Sequence, residues 1–176
     1  MKEIIFVIGG CRSGKSRHAL QLAEAMPGNR KIFMATCIPH DEEMNQRVIK
    51  HQAERTRDWK TLEVPIHVAE AIGKHSPDAD VILLDCLTLW MSNLMMGNLS
   101  QTQLEEDIQS LVDALKTSSC PVILVSNEVG CGIVPDNALA RQFRDMVGTV
   151  NQKVAECANR VVWTVAGIPT EIKRCK

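Results

Sequence analysis

The chain has 176 residues, a net charge of −1, 45% hydrophobic residues and 3% aromatic residues with no Tyr. This length suits one substantial core, and we expect residues 1–176 to form a single domain. A near-neutral balance gives no general attraction to nucleic acid or anionic membrane, and so few aromatics leave no platform for stacking bases.

The first predicted element is the apolar run Ile4–Ile8, a buried strand. It feeds directly into Gly9-Gly10-Cys11-Arg12-Ser13-Gly14-Lys15-Ser16, which fits the phosphate-loop pattern G-x-x-x-x-G-K-[ST]. The glycines allow a tight turn, and the loop amides and the following helix N-terminus then face a polyphosphate. Lys15 is placed to reach the outer phosphates. The Ser16 hydroxyl is placed to ligate Mg²⁺. Strand, loop and helix in this order point to a nucleoside triphosphate.

A helix over Ser16–Met26 stops at Pro27-Gly28, and a second strand follows over Ile32–Thr36. Asp41–Arg57 reads as a helix whose acidic opening suits its N-terminus. Its spacing puts Met44, Val48, His51 and Arg55 on one stripe. From spacing alone, a structural histidine at position 51 is the better reading, and a nucleophile facing the nucleotide is the alternative. Val81–Leu84 is a strand ending in Asp85, the Walker B arrangement in which a carboxylate holds Mg²⁺ directly or through water. Capping of the next helix is the plainer role for that Asp.

Leu87–Met96 is an apolar helix, either core or a subunit contact. Gln101–Lys116 follows Ser100 as its cap. After the strand Val122–Val125 come Ser126-Asn127-Glu128 and a glycine-containing turn, a loop type that often lines sites. Asn137–Ala158 reads as one long helix or as two broken near Gly148, before the strand Val161–Val165. Alternating elements imply an α/β fold of the P-loop NTPase type, with a mostly parallel sheet flanked by helices on both faces. Ligands in such sheets bind beyond the strand carboxyl ends, where Gly9–Ser16, Thr36-Cys37, Asp85 and Ser126–Glu128 should converge.

Seven cysteines without a C-x-x-C pair argue for reduced thiols and a cytoplasmic protein. Cys37 and His40 have C-x-x-H spacing but no second half-site, so no zinc centre is expected. The N-terminal apolar run is one strand long, unlike a signal peptide, and no stretch has the length of a membrane span.

Taken together, the motifs resemble the bifunctional adenosylcobinamide kinase/adenosylcobinamide-phosphate guanylyltransferase family of cobalamin biosynthesis. The resemblance rests on Gly9–Arg17, Ala35-Thr36, Asp41-x-Glu43-Met44 with Arg47 and His51, and Asp85–Trp90 with Asn93. Asn127–Gly130, Gly132–Pro135, Arg141, Phe143–Asp145, Gly148 and Asn151-Gln152 extend it over nearly the whole chain. It implies phosphorylation of adenosylcobinamide by ATP or GTP, then transfer of GMP from GTP to that phosphate. It also implies that His51 carries the guanylyl group, against the odds set by spacing.

The nucleotide contacts it implies are Gly9, Gly10, Cys11, Arg12, Ser13, Gly14, Lys15 and Ser16, then Ala35, Thr36 and Cys37. Gln52, Ala53, Glu54, Arg55, Glu63 and Asp85 complete them. A carboxylate at Glu63 suits guanine, since it can accept from N1–H and the exocyclic amine together. Cys11 stands where the family commonly has Ala and Cys37 where it has Ser, which weakens a donor at position 37. Family members are oligomeric, so a homo-oligomer is expected, with a trimer the natural choice.

Two other functions compete. A regulatory GTPase would need N-K-x-D and D-x-x-G motifs, but Asn127 precedes Glu128, and Asp85 precedes Cys86-Leu87-Thr88. A monofunctional small-molecule kinase needs Lys15, Ser16 and Asp85 but not His51.

Overall fold

The computed structural model describes residues 2–39, 42, 46, 58–97 and 99–175. The strands are β1 (Ile4–Gly9), β2 (Lys31–Ala35), β3 (Trp59–Glu63), β4 (Val81–Asp85), β5 (Val122–Asn127), β6 (Arg160–Val165) and β7 (Ile168–Arg174). They form one sheet in the order β3-β2-β4-β5-β1-β6-β7. Every pairing is parallel except β6–β7, an antiparallel hairpin at the edge. The central strands are apolar runs because helices cover both their faces.

The helices are α1 (Lys15–Glu24), α2 (Val68–His75), α3 (Leu87–Met96), α4 (Gln101–Thr117) and α5 (Ala138–Cys157). Strand alternation divides the core. Ile5, Val7, Val81, Leu83, Ile123 and Val125 pack toward α1, whose Ala19 and Ala23 let it lie close to the sheet. Phe6, Ile82, Leu84, Val122 and Leu124 point the other way, toward side chains of α2, α3, α4 and α5. Flanking helices on both faces agree with the expected fold.

Several expectations are sharpened. Leu87, Trp90, Met91 and Leu94 are buried, so one face of α3 belongs to the chain's own core. The span Asn137–Ala158 is one helix. It is capped by the Asn137 side chain, which accepts from the Ala140 N–H, and it runs through Gly148 without a break. Helix α4 begins with a reciprocal capping box between Ser100 and Gln103. Helix α1 is shorter than expected, ending at Glu24 with Ala25 as its cap, two residues before Pro27.

Elements β3, α2 and β7 carry no clear sequence signal. The two strands lie at the sheet edges, where one flank is open. Trp59-Lys60-Thr61-Leu62-Glu63 and Ile168–Arg174 therefore mix polar and apolar residues. The helix predicted over Asp41–Arg57 lies outside the described residues, apart from Glu42 and Gln46, which are helical.

Candidate active site at the carboxyl edge of the sheet

The register brings the strand ends into one row. Glu63 lies opposite Ala35, Ala35 opposite Asp85, and Gly9 between Asn127 and Thr164. Neighbouring strands are separated by about 4.8 Å, so residues distant in sequence become adjacent here. All the described phosphate-loop, Walker B and Glu63 positions share this edge.

The loop between β1 and α1 is built from backbone constraints. Arg12 has φ 58° and Gly14 has φ 90°, left-handed conformations that turn the chain into the helix. Gly9 has no space for a side chain: a Cβ there would sit 2.4 Å from the Thr164 carbonyl and 2.6 Å from Ser13 Oγ. The Gly167 N–H donates to the Ser13 carbonyl at 2.9 Å, tying the loop to the β6–β7 turn. Lys15 Nζ donates to the Gly10 carbonyl at 3.2 Å, which folds the ammonium back over the loop. Ser13 Oγ is buried and has no hydrogen-bond partner among the described residues, inside a loop whose geometry suits an anion.

A second network holds β2 and β4 together. Thr36 Oγ1 accepts from the Cys86 N–H at 2.8 Å and donates to the Cys86 carbonyl at 2.7 Å. Thr36 is fully buried, and its two bonds to the Cys86 peptide brace the strand ends beneath the site. Its one hydroxyl proton goes to the Cys86 carbonyl, so donating to a nucleotide would mean giving up that bond. Asn93 Nδ2 donates to both the Thr36 and Pro65 carbonyls, at 2.8 and 2.9 Å, and so links the segments carrying Cys37 and Glu63.

Ser126 points into the core, where its hydroxyl meets Thr88 Oγ1 at 3.3 Å, and it is not part of the site. Glu128 flanks a groove of about 360 Å³ beside the phosphate loop, walled also by Arg12, Trp163 and Val165. Its carboxylate accepts from the Gly130 N–H at 2.5 Å. His51, Gln52, Ala53, Glu54 and Arg55 lie outside the described residues.

The thiols differ sharply. Burial, then the charge of Asp85, pushes Cys86 up to about 12, so it stays protonated and inert near neutral pH. Cys11, Cys131 and Cys175 are exposed. Brief iodoacetamide treatment is expected to alkylate these and spare Cys86, as read by peptide mass mapping. Bound ATP is expected to protect Cys11, since that residue lies within the phosphate loop. Equal labelling of Cys11 with and without nucleotide would remove the loop as the binding site.

A strand–loop–helix anion cradle, with Asp85 two strands away, makes a nucleotide site but does not choose among phosphate-loop proteins. The family model described as "Cobinamide kinase / cobinamide phosphate guanyltransferase" matches residues 5–172. The chain belongs to this family.

Curated relatives agree over their full lengths. A bifunctional adenosylcobalamin biosynthesis protein, CobP, of Pseudomonas aeruginosa is 40% identical over 98% of each chain. The bifunctional CobU of Escherichia coli is 39% identical over 97% of this chain and 99% of its own. Among solved structures, the flagellar accessory protein FlaH of Methanocaldococcus jannaschii has a TM-score of 0.55 at 14% identity, covering 98% of this chain and 78% of its own. A second solved structure, an ATPase domain, has a TM-score of 0.54 at 13% identity, over 92% of this chain and 69% of its own. At such identities these two speak for the fold alone. Guanylyl transfer has to come from residues the shared fold does not specify.

Proposed function

We propose that the protein phosphorylates the aminopropanol hydroxyl of adenosylcobinamide with ATP or GTP. It then transfers GMP from GTP to that phosphate, yielding adenosylcobinamide-GDP and pyrophosphate. The observation that carries this reading is the family match across residues 5–172, coincident with a formed phosphate cradle at Gly9–Ser16.

The loop amides and the N-terminus of α1 bind and orient the triphosphate. Lys15 neutralises charge on the outer phosphates, first on the transferred γ-phosphoryl and later on the pyrophosphate leaving group. The hydroxyl of Ser16 and the carboxylate of Asp85 form a hard-oxygen donor set that suits Mg²⁺. The ion, when bound, would neutralise phosphate charge. Ala35 and Cys37 flank the nucleotide on the β2 side, and Gln52–Arg55 line it next to His51. Glu63 accepts from the guanine edge, which favours GTP for the second reaction.

In that second reaction the neutral His51 imidazole attacks the α-phosphorus, the bond to pyrophosphate breaks, and a guanylyl-histidine forms. The cobinamide phosphate then displaces the histidine and takes the GMP. Two easier displacements replace one hard one. Among the described residues no helix is long and apolar enough to cross a membrane. Free thiols and nucleotide substrates fit a cytoplasmic enzyme, and we infer a homo-oligomer, with three copies the family expectation.

The test uses GTP labelled at the α-phosphate with Mg²⁺ and no corrinoid. Acid-labile, base-stable label is expected on the protein and is discharged by cobinamide phosphate. Phosphorylation of cobinamide without any protein label would leave the monofunctional kinase as the function.

A further inference from the structure

The β6–β7 hairpin carries an apolar strip that the described part of the chain leaves open. Along β6, Val161 packs toward α5, and alternation puts Trp163 and Val165 on that same face. Trp163 is 44% exposed and Val165 49%. Ile168 lies opposite Val165 across the hairpin, so it shares the face, and it is 68% exposed. Ile133, two residues beyond Cys131, is 97% exposed. Scattered apolar residues on a surface need no explanation, but a contiguous strip marks a place that receives an apolar body.

This strip is held at a fixed place beside the phosphate loop. Ala166 and Gly167, with φ 50° and 82°, make the tight hairpin turn. The Gly167 N–H then donates to the Ser13 carbonyl at 2.9 Å. Trp163 and Val165 thereby form one wall of the 360 Å³ groove, and Gly10–Ser13 form another. Lys15 Nζ, 3.2 Å from the Gly10 carbonyl, puts the charge meant for the outer phosphates at this end of the loop. A Cβ at Gly10 would meet nothing described within 4 Å, so the loop is open there. The groove therefore begins where the γ-phosphate ends. The nucleoside hangs from the other end of the triphosphate, and the Glu63 strand lies across β1 from β6.

We propose that this groove docks the corrinoid acceptor: the aminopropanol arm enters between Gly10 and Trp163, and one edge of the corrin ring lies on Trp163, Val165 and Ile168. The reaction geometry favours the acceptor over any other occupant. The attacking oxygen must approach the γ-phosphorus from the side opposite the β,γ-bridging oxygen, which is the side away from the nucleoside. That oxygen bonds to phosphorus, the bridging bond breaks, the nucleoside diphosphate leaves with the electron pair, and the hydroxyl proton passes to solvent. A corrinoid is larger than the groove, so most of it stays outside and needs an apolar rim, which Ile168 and Ile133 supply. Its methyl-fringed edge suits that rim, and the net positive charge of an adenosyl-cobalt(III) corrin suits Glu128, a carboxylate in the groove wall. The inference rests on the function proposed above and adds where the acceptor sits.

Kinase assays with cobinamide and ATP varied in turn test the docking, alongside equilibrium dialysis of cobinamide read by its visible absorbance. Losing a large apolar contact predicts that Trp163→Ala raises the KM for cobinamide, and its dialysis Kd, about 10- to 100-fold. The KM for ATP should move less than about twofold, and kcat at saturating cobinamide should stay within a few-fold, as for uniform binding. Trp163→Phe should recover most of the loss. Val165→Ser, a smaller change at the same wall, should raise only the cobinamide KM, by about three- to tenfold. A rise in the KM for ATP alone would put the nucleobase in the groove and overturn the docking. So would variants that change the oligomeric state but leave the cobinamide KM as it was, which would make the strip a subunit face. A wild-type protein that neither binds nor phosphorylates cobinamide would overturn the proposed function itself, and the docking with it.

Discussion

His51→Ala is expected to abolish guanylyl transfer, by on the order of 10³-fold or more, while leaving phosphorylation of cobinamide within a few-fold of wild type. The asymmetry follows from the chemistry. In the proposed mechanism the γ-phosphoryl group goes directly to a hydroxyl, with the loop amides, Lys15 and the Ser16–Asp85 pair as its stabilising groups. None of these needs an imidazole. Attack at the α-phosphorus needs a nucleophile that later leaves, and a neutral imidazole does both. Separate assays of the two steps check this, the second supplied with preformed cobinamide phosphate. Label from α-labelled GTP should disappear from the variant. Label that persists would move the nucleophile elsewhere, and an equal fall in both reactions would show His51 to be structural.

Lys15→Ala should impair both reactions, each by about 10²- to 10³-fold, a range typical of losing one preorganised group that stabilises transition-state charge. Lys15 begins α1, and its ammonium lies 3.2 Å from the Gly10 carbonyl, within reach of anything held in the loop. It is half-buried and outside both apolar clusters, so its removal should barely move the melting temperature. The shared effect is the informative part. If Lys15→Ala spares the kinase reaction, the two reactions use different triphosphate sites. If it spares guanylyl transfer alone, the loop does not hold the pyrophosphate leaving group.

The turn and helix start of the phosphate loop were legible in the sequence because their information is local. Gly9, Gly14 and Lys15 are specified by a turn, a left-handed conformation and a helix start, all within eight residues. Asp85 is legible for the same reason, as a polar residue ending an apolar strand. Thr36 shows the limit. Its place at a strand end suggests a nucleotide contact, yet its hydroxyl is engaged by a peptide 50 residues away. No spacing rule reveals that. The strands β3 and β7 are silent because edge strands need only one satisfied flank and so lack a strong pattern.

From the sequence alone came a nucleoside triphosphate site, an alternating α/β chain and, through whole-chain resemblance, a two-step chemistry centred on His51. These follow from short-range rules, in which loop conformation, helix start and strand polarity depend on neighbouring residues. Tertiary structure decided that one face of α3 packs into the core, that the Thr36 hydroxyl bonds the Cys86 peptide and that Ser126 turns inward to Thr88. Those outcomes depend on which strands pair and in what register. That register is set by burying two apolar faces at once, a property of the whole sheet that no single segment carries.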